Sequence, residues 1–285
     1  MTFSELLERS VARAGNPVCF GMDPVLSRMP AASTPEETIR SFYLSIFDEM
    51  DRREVYPAAV KPNSAYYEQV SVEALLVLRE LIGAARDRGI PVILDAKRGD
   101  IGKSSAAYAR AAFGTMGADA TTVSPYMGGD SVGPFLKVAP ERGVYALLRT
   151  SNPGAADLQD QRREDGAPFW QAVAEKLVEW DNGSLGAVVG ATNLAEMEKI
   201  AGFFASKGHE IPFLIPGVGV PGVAGQQGGE AAAVVRAMRA GGAKRAFHLL
   251  NSSSGLSFAY EARPGTAPEI AAVDALEALA ESAKI

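Results

Sequence analysis

Pro91-Val-Ile-Leu-Asp95-Ala-Lys97-Arg-Gly-Asp100-Ile101-Gly102 is an apolar run that stops abruptly in charge. The run has the character of a buried parallel strand, and the amphipathic stretch from Lys103 to Met116 reads as the helix after it. Alternate residues of an extended chain share a face, so Asp95 and Lys97 project the same way, with Asp100 on the turn beyond. Charges at the mouth of a core strand are costly unless paired, so these three form a network or do chemistry. Their alternating sign suggests a lysine kept protonated between two carboxylates.

The same unit recurs from end to end. Strand candidates are Val18–Asp23, Ala58–Asn63, Pro91–Lys97, Ala120–Pro125, Val144–Ser151, Ala187–Thr192, Phe213–Val218 and Ala246–Ser252. Helical patterns between them run over Pro35–Arg52, Ser64–Arg88, Lys103–Met116, Ser131–Pro140, Pro168–Asn182, Leu194–Lys207 and Glu230–Ala240, with a last one over Ala267–Lys284. In Val72–Arg86 the helical period sets Leu75, Leu76, Leu78, Leu81, Ile82 and Ala85 on one face. Eight strands, each followed by a helix and none by a hairpin, predict an α/β fold: a (β/α)8 TIM barrel, one domain over residues 1–285 with an N-terminal helix. The rival is a doubly wound sheet, which usually has fewer strands and a Gly-rich first turn. Here that turn is Asp23-Pro24-Val25-Leu26, and the chain has neither GxGxxG at a strand–helix junction nor a Walker A sequence.

Composition narrows the chemistry. The 285 residues are 47% hydrophobic and 22% charged with a net charge of −6 and no basic cluster, which argues against nucleic acid as a partner. Cys19 is the only cysteine and lies in the apolar run Val18-Cys19-Phe20, where it reads as a small buried hydrophobe. Two histidines, His209 and His248, are too few for a multi-histidine metal site and make a Ser-His-Asp hydrolase improbable. His248 reads as a hydrogen-bonded packing residue and His209 as an exposed loop residue. The N-terminus carries Glu5, Glu8, Arg9 and Arg13 and lacks the apolar core of a signal peptide, and no run has the ~18 apolar residues of a membrane span. These features predict a soluble, cytoplasmic protein with no membrane partner.

Asp23, Lys61, Asp95, Lys97, Ser151, Thr192 and Asn251 all fall at the C-terminal ends of predicted strands, where barrel enzymes place their active sites. Thr192 and Asn251 also fit the plainer idea that polar residues mark where strands stop; Lys61, Asp95 and Lys97 do not. The Gly-rich segment Pro216–Gly229 after strand seven and Asn251-Ser-Ser-Ser-Gly255 after strand eight can turn backbone amides toward an anion at the usual phosphate address of a barrel.

Taken in order, these segments resemble orotidine 5′-phosphate decarboxylase, in the longer bacterial branch of that family. The resemblance is carried by Gly21-Met-Asp23-Pro24, Val60-Lys61-Pro62-Asn63, Asp95-Ala-Lys97-Arg-Gly-Asp100-Ile101-Gly102, Arg149-Thr-Ser151-Asn-Pro-Gly154, Val188–Thr192, Pro216-Gly-Val-Gly219 and Gly225–Gly229, over about residues 18–260. Related sugar-phosphate decarboxylases and hexulose-phosphate synthases share D-x-K-x-x-D but carry a magnesium-binding glutamate on strand two, where this chain has Lys61. The resemblance implies metal-free, cofactor-free loss of carbon dioxide from orotidine 5′-monophosphate to give UMP. Lys97 would protonate C6, Asp95 would sit beside the departing carboxylate, and Lys61 would hold the ribose and Asp95. Asp23 would contact the ribose, and Asp100 would reach the site of a partner subunit in a homodimer. Ser151 would hydrogen-bond the pyrimidine, and Gln227 (or Gln226) would bridge base and phosphate beside Gly228, on a loop lengthened by Val220–Ala224 and suited to act as a lid. Ser104 replaces the family's threonine and keeps its hydroxyl. Ser254 stands where the family has its phosphate-binding arginine, so Ser252, Ser253 and Ser254 with loop amides would hold the phosphate, or Arg263 would fill the gap. Lys244 and Arg245 precede strand eight and belong at the opposite end of the barrel. Other readings of the same residues are a magnesium-dependent sugar-phosphate lyase, a Schiff-base aldolase and a non-catalytic nucleotide-binding barrel.

Overall fold

The computed structural model describes residues 1–223 and 228–284. Its strands are β1 (Val18–Met22), β2 (Ala59–Pro62), β3 (Ile93–Arg98), β4 (Ala120–Val123), β5 (Gly143–Arg149), β6 (Leu185–Val189), β7 (Phe213–Pro216) and β8 (Leu249–Ser252). They pair in the order β2-β1-β8-β7-β6-β5-β4-β3, every pair parallel. Single parallel bridges, Val60 to Val92 and Asn63 to Asp95, join the two outer strands and close the barrel.

The two-residue period of each strand divides its side chains between two cores. Val18, Phe20 and Met22 of β1, Val60 of β2, Leu94 of β3 and Val144, Ala146 and Leu148 of β5 face outward into the helical layer. Cys19, Ala59, Ile93, Ala120, Tyr145, Val188, Leu214 and Leu249 face inward and fill the barrel. The helix α1 (Phe3–Ala14) precedes β1 and adds Phe3 and Leu7 to this inner cluster. It begins at a capping box between Thr2 and Glu5 and ends at Gly15, whose φ of 67° suits glycine. Since α1 packs into the end where the strands begin, the inner face is open to ligands only where they end.

The outer helices are α2 (Pro35–Arg53), α3 (Ser64–Glu68), α4 (Val72–Asp87), α5 (Gly102–Arg110), α6 (Gly129–Val138), α7 (Phe169–Trp180), α8 (Leu194–Ser206), α9 (Ala231–Ala240), α10 (Ser254–Ser257) and α11 (Pro268–Ser282). The expected helix over Ser64–Arg88 is two, because the Ser71 hydroxyl accepts from Ala74 N–H and starts α4 afresh. Leu76 was expected on the buried face and is exposed; Ala74, Val77, Leu78, Leu81, Ile82 and Ala85 form that face, spaced at three and four residues. The turn expected after strand eight is the short helix α10. Among the described residues, no helix is long and apolar enough to cross a membrane.

Cys19 is fully buried, and burial pushes its thiol up to about 12. His248 accepts from Phe213 N–H through Nδ1 at 3.1 Å, so its hydrogen sits on Nε2, 3.1 Å from Glu210. His209, expected to be exposed, is half-buried and lies 2.9 Å from Asp181, tying the segment after α8 to the end of α7. Arg245 is 2.9 Å from Glu8 of α1, at the end of the barrel opposite the strand termini.

Candidate active site

The inward positions turn polar one step above the apolar inner cluster. Lys61 lies two residues past Ala59, Asp95 past Ile93, Thr122 past Ala120 and Asn251 past Leu249. Alternation therefore aims all four into the barrel at its open end. Lys61 Nζ is 2.8 Å from Asp95 Oδ2, and Lys97 Nζ is 2.7 Å from Asp95 Oδ1. The expectation was one lysine between two carboxylates; within this chain the order is inverted, one carboxylate between two ammoniums. Asp100 is not part of it: both lysines pair with Asp95, and Asp100 Oδ1 accepts from the N–H of Ile101 at 2.8 Å.

Burial of Asp95 would raise its pKa, but the Lys61 and Lys97 ammoniums outweigh it and hold the carboxyl below the usual carboxylate range. Burial would likewise lower the pKa of Lys61; Asp95 and Asp23 outweigh it and push the ammonium above its ordinary value. The residue Lys61 is 4% exposed and the Lys97 side chain 48%, so one ammonium is a fixed internal charge and the other faces the cleft. Lys97 also has a left-handed backbone, φ 43°, at a register shift in the β3–β4 pairing. Such strain in a non-glycine residue persists only where the surroundings impose it.

Two lobes of the cleft meet at this array, and Lys61, Asp95 and Pro216 line both. One, of about 430 Å³, has the apolar side chains Leu147, Ala155, Leu158, Val188 and Leu214 with Thr150, Ser151, Asn152 and Gln159. Arg149 at the end of β5 secures this side, lying 2.7 Å from Glu196 of α8 and 3.1 Å from Asp160, while Gln159 pairs with the main chain of Thr150. The other lobe, of about 400 Å³, is polar: Asp23, Asn63, Gly217, Gly219, Gly228, Asn251 and Ser252 to Ser254. Asp23 Oδ1 and Asn251 Oδ1 are buried there with no hydrogen-bond donor among the described residues. A buried acceptor without a donor costs free energy, so both are prepared for a ligand's O–H or N–H.

Backbones approach closely in the polar lobe. A Cβ on Gly21 would lie 1.9 Å from Ser253 Oγ, and one on Gly228 would lie 2.6 Å from Gly219 N, so glycine is required at both positions. The loop amides are less free than expected: Val218 N–H donates to Asn251 O, Gly219 N–H to Gly229 O, and Gly229 N–H to Gly217 O. Gln226 and Gln227 lie outside the described residues. Among the described residues lining this lobe Lys61 is the only cation. Arg263, the expected substitute for a phosphate arginine, is instead 2.8 Å from Asp274 of α11 and does not line the lobe. Arg28 is likewise committed, 2.6 Å from Glu261 and stacked 4.0 Å over Phe258. Ser104 is exposed on α5 and lines neither lobe.

Sequence reasoning missed Thr122, and it noted Asn251 at a strand end without giving it a role. The signal for both is phase: each continues the inward alternation of its strand by one step.

Comparison with known proteins agrees with the fold. Residues 43–259 match the model of the orotidine 5′-phosphate decarboxylase / HUMPS family. The chain is 41% identical to an orotidine 5′-phosphate decarboxylase of Roseiflexus castenholzii over 271 residues, 92% of this chain and 94% of that protein. It superposes on the Leishmania donovani OMP decarboxylase with a TM-score of 0.76 at 33% identity, covering 99% of both chains. It also superposes on the Leishmania donovani UMP synthase with a TM-score of 0.79 at 36% identity, covering 99% of this chain and spanning 56% of that longer one. With the match running through β2, β3 and the strand ends that carry Lys61, Asp95 and Lys97, this chain belongs to the orotidine 5′-phosphate decarboxylase / HUMPS family.

Proposed function

We propose that this protein decarboxylates orotidine 5′-monophosphate to UMP and carbon dioxide, the last step of de novo pyrimidine synthesis, without a metal ion and with Lys97 as the proton donor. One observation carries the reading: the Lys61–Asp95–Lys97 chain of charges, 2.8 and 2.7 Å per link, lies where an apolar lobe meets a polar one. A nucleotide has the same division, with its base for the first lobe and its ribose phosphate for the second. An ammonium at position 61, bound to Asp95, also stands where the magnesium-dependent relatives need a carboxylate. Turnover of orotidylate, followed by its loss of absorbance with and without EDTA, tests the reading; no turnover by the parent protein, or turnover abolished by EDTA, rejects it.

The mechanism follows from charge. With the base in the apolar lobe near Ser151, the substrate carboxylate comes to Asp95, whose negative charge disfavours the bound ground state. The C6–carboxyl bond breaks, its electron pair stays on C6, and carbon dioxide leaves. The Lys97 ammonium stabilises that pair and transfers one proton to C6, ending as a neutral amine. Asp23 Oδ1 and Asn251 Oδ1 accept from ribose hydroxyls, which supplies the donors both lack. Binding energy from the phosphate, remote from C6, offsets the cost of bringing the substrate carboxylate to Asp95.

The phosphate is held by the hydroxyls of Ser252, Ser253 and Ser254 in place of an arginine. A charge-assisted hydrogen bond is worth about 1.5–3 kcal/mol, so Ser254→Arg is expected to lower KM for the nucleotide roughly ten- to a hundred-fold. Steady-state kinetics of the variant check this, and an unchanged or higher KM would sink the idea.

Asp100 completes the neighbouring site of a homodimer. Ile101, Tyr108, Tyr126 and Met127 give the chain large exposed apolar side chains just before and on α5 and after β4, at 51%, 39%, 74% and 43% exposure, suited to burial against a second copy. If Lys97 of one subunit works with Asp100 of the other, Lys97→Ala and Asp100→Ala are each inactive alone. Random reassembly of the two variants then restores one intact site in half of the dimers, about a quarter of parent activity. Activity of the mixture no greater than the sum of the two variants excludes the shared site.

A further inference from the structure

Thr122 has no part in the roles above, yet it is the most constrained hydroxyl near the array. It is 1% exposed on β4. Its Oγ1 lies 2.8 Å from Asp95 Oδ1 and 2.8 Å from the main-chain nitrogen of Lys97. The direction of both bonds is forced. A main-chain N–H only donates, so Oγ1 accepts from Lys97, and its single hydrogen is directed to the carboxylate, which only accepts.

The second bond explains how Lys97 keeps its backbone. The β3–β4 register shifts between Leu94 and Arg98, and Lys97 at φ 43° falls within that irregularity. The N–H of Lys97 is thereby served by the Thr122 hydroxyl, where a regular strand would use a neighbouring carbonyl. The first bond adds a third donor to Asp95, after the two ammoniums, and sets Oδ1 between Lys97 Nζ and Thr122 Oγ1.

We propose that Thr122 is a positioning residue for the reaction: one hydroxyl fixes the Asp95 carboxylate and, through the main chain of Lys97, the direction from which the ammonium approaches the reacting carbon. This rests on the decarboxylase reading. Thr122 touches no reacting atom, and its effect passes through the two residues it holds. A threonine that merely filled space or satisfied a buried amide would affect stability and leave turnover alone. The positioning role instead predicts a loss confined to kcat, because substrate is bound by the two lobes while the ammonium is displaced.

The test compares kcat and KM for orotidylate among the parent, Thr122→Val, which keeps the shape and loses the hydroxyl, and Thr122→Ser, which keeps the hydroxyl. Misplacement of a catalytic group by an ångström costs on the order of 10²-fold, so Thr122→Val should lose about that in kcat with KM within roughly threefold of the parent. Thr122→Ser should stay within about threefold of the parent in both. If the valine variant does not fold, Thr122→Ala carries the same expectation. A valine or alanine variant with parent-like kcat overturns the proposal, as does a change confined to KM or a serine variant as slow as valine. A parent protein that does not consume orotidylate overturns the decarboxylase reading itself, a result distinct from an active parent with an equally active valine variant.

Discussion

Lys97→Ala is expected to fold and to have essentially no decarboxylase activity. The Lys97 ammonium is the one member of the array whose side chain is substantially exposed to the cleft, at 48%, so its removal leaves no buried charge stranded on its own account. Asp95 keeps Lys61 and the Thr122 hydroxyl as partners. What is lost is chemical. Transfer of a proton by a positioned group contributes roughly 10²–10⁴-fold, and a fixed charge aimed at developing negative charge roughly another 10²–10³-fold. A fall of at least about 10⁴-fold in kcat follows from the two together. Loss of orotidylate absorbance measures it, with circular dichroism to verify folding. A folded alanine variant within tenfold of the parent removes Lys97 from the mechanism. Lys61 cannot stand in for it, being 4% exposed and bonded to the far oxygen of Asp95.

Asp95→Asn is expected to have the largest effect on stability. It leaves the Lys61 ammonium buried without its counter-charge, and breaking a buried pair from one side costs about 3–5 kcal/mol. For a chain of this size each kcal/mol moves Tm by about 2–4 °C, so a fall of roughly 10 °C is expected. The pH dependence has a definite sign. The folded Asp95 carboxyl titrates below its unfolded value of about 3.9, so its stabilisation is fully present above that value and is lost as pH falls through the acid range toward the folded pKa. Lys61 is shifted upward, so its stabilisation is present below its unfolded value of about 10.4 and is lost only at higher pH. Thermal melts between pH 3 and 7 should therefore show the parent's advantage over Asp95→Asn shrinking below about pH 4. A variant melting within 2 °C of the parent at pH 7 would show that the pair is not needed to keep Lys61 buried.

The barrel was readable because its signals are local. Strand and helix periods repeat along the chain, and Lys61, Asp95 and Lys97 announce themselves as charges at the ends of apolar runs. Errors arose where a partner distant in sequence decides. Thr122 looks like any strand threonine until β4 lies beside β3 with a shifted register. Arg263 looked available until α11 brought Asp274 to it. The break at Ser71 was a missed cap signal, and the Leu76 error came from counting apolar residues without regard to angle about the helix.

The sequence by itself determined the alternation of strands and helices, the inward phase of each strand, and hence which side chains meet at the open end of the barrel. These follow from backbone periodicity and from the cost of leaving apolar or charged groups in the wrong medium. Only the tertiary structure decided the order of charges, one carboxylate between two ammoniums, and the two acceptors of the polar lobe that no described residue serves. It also decided the hydroxyl that joins Asp95 to Lys97. Hydrogen bonds are directional and reach about 3 Å, so their partners are set by how strands are registered in space and not by their spacing along the chain.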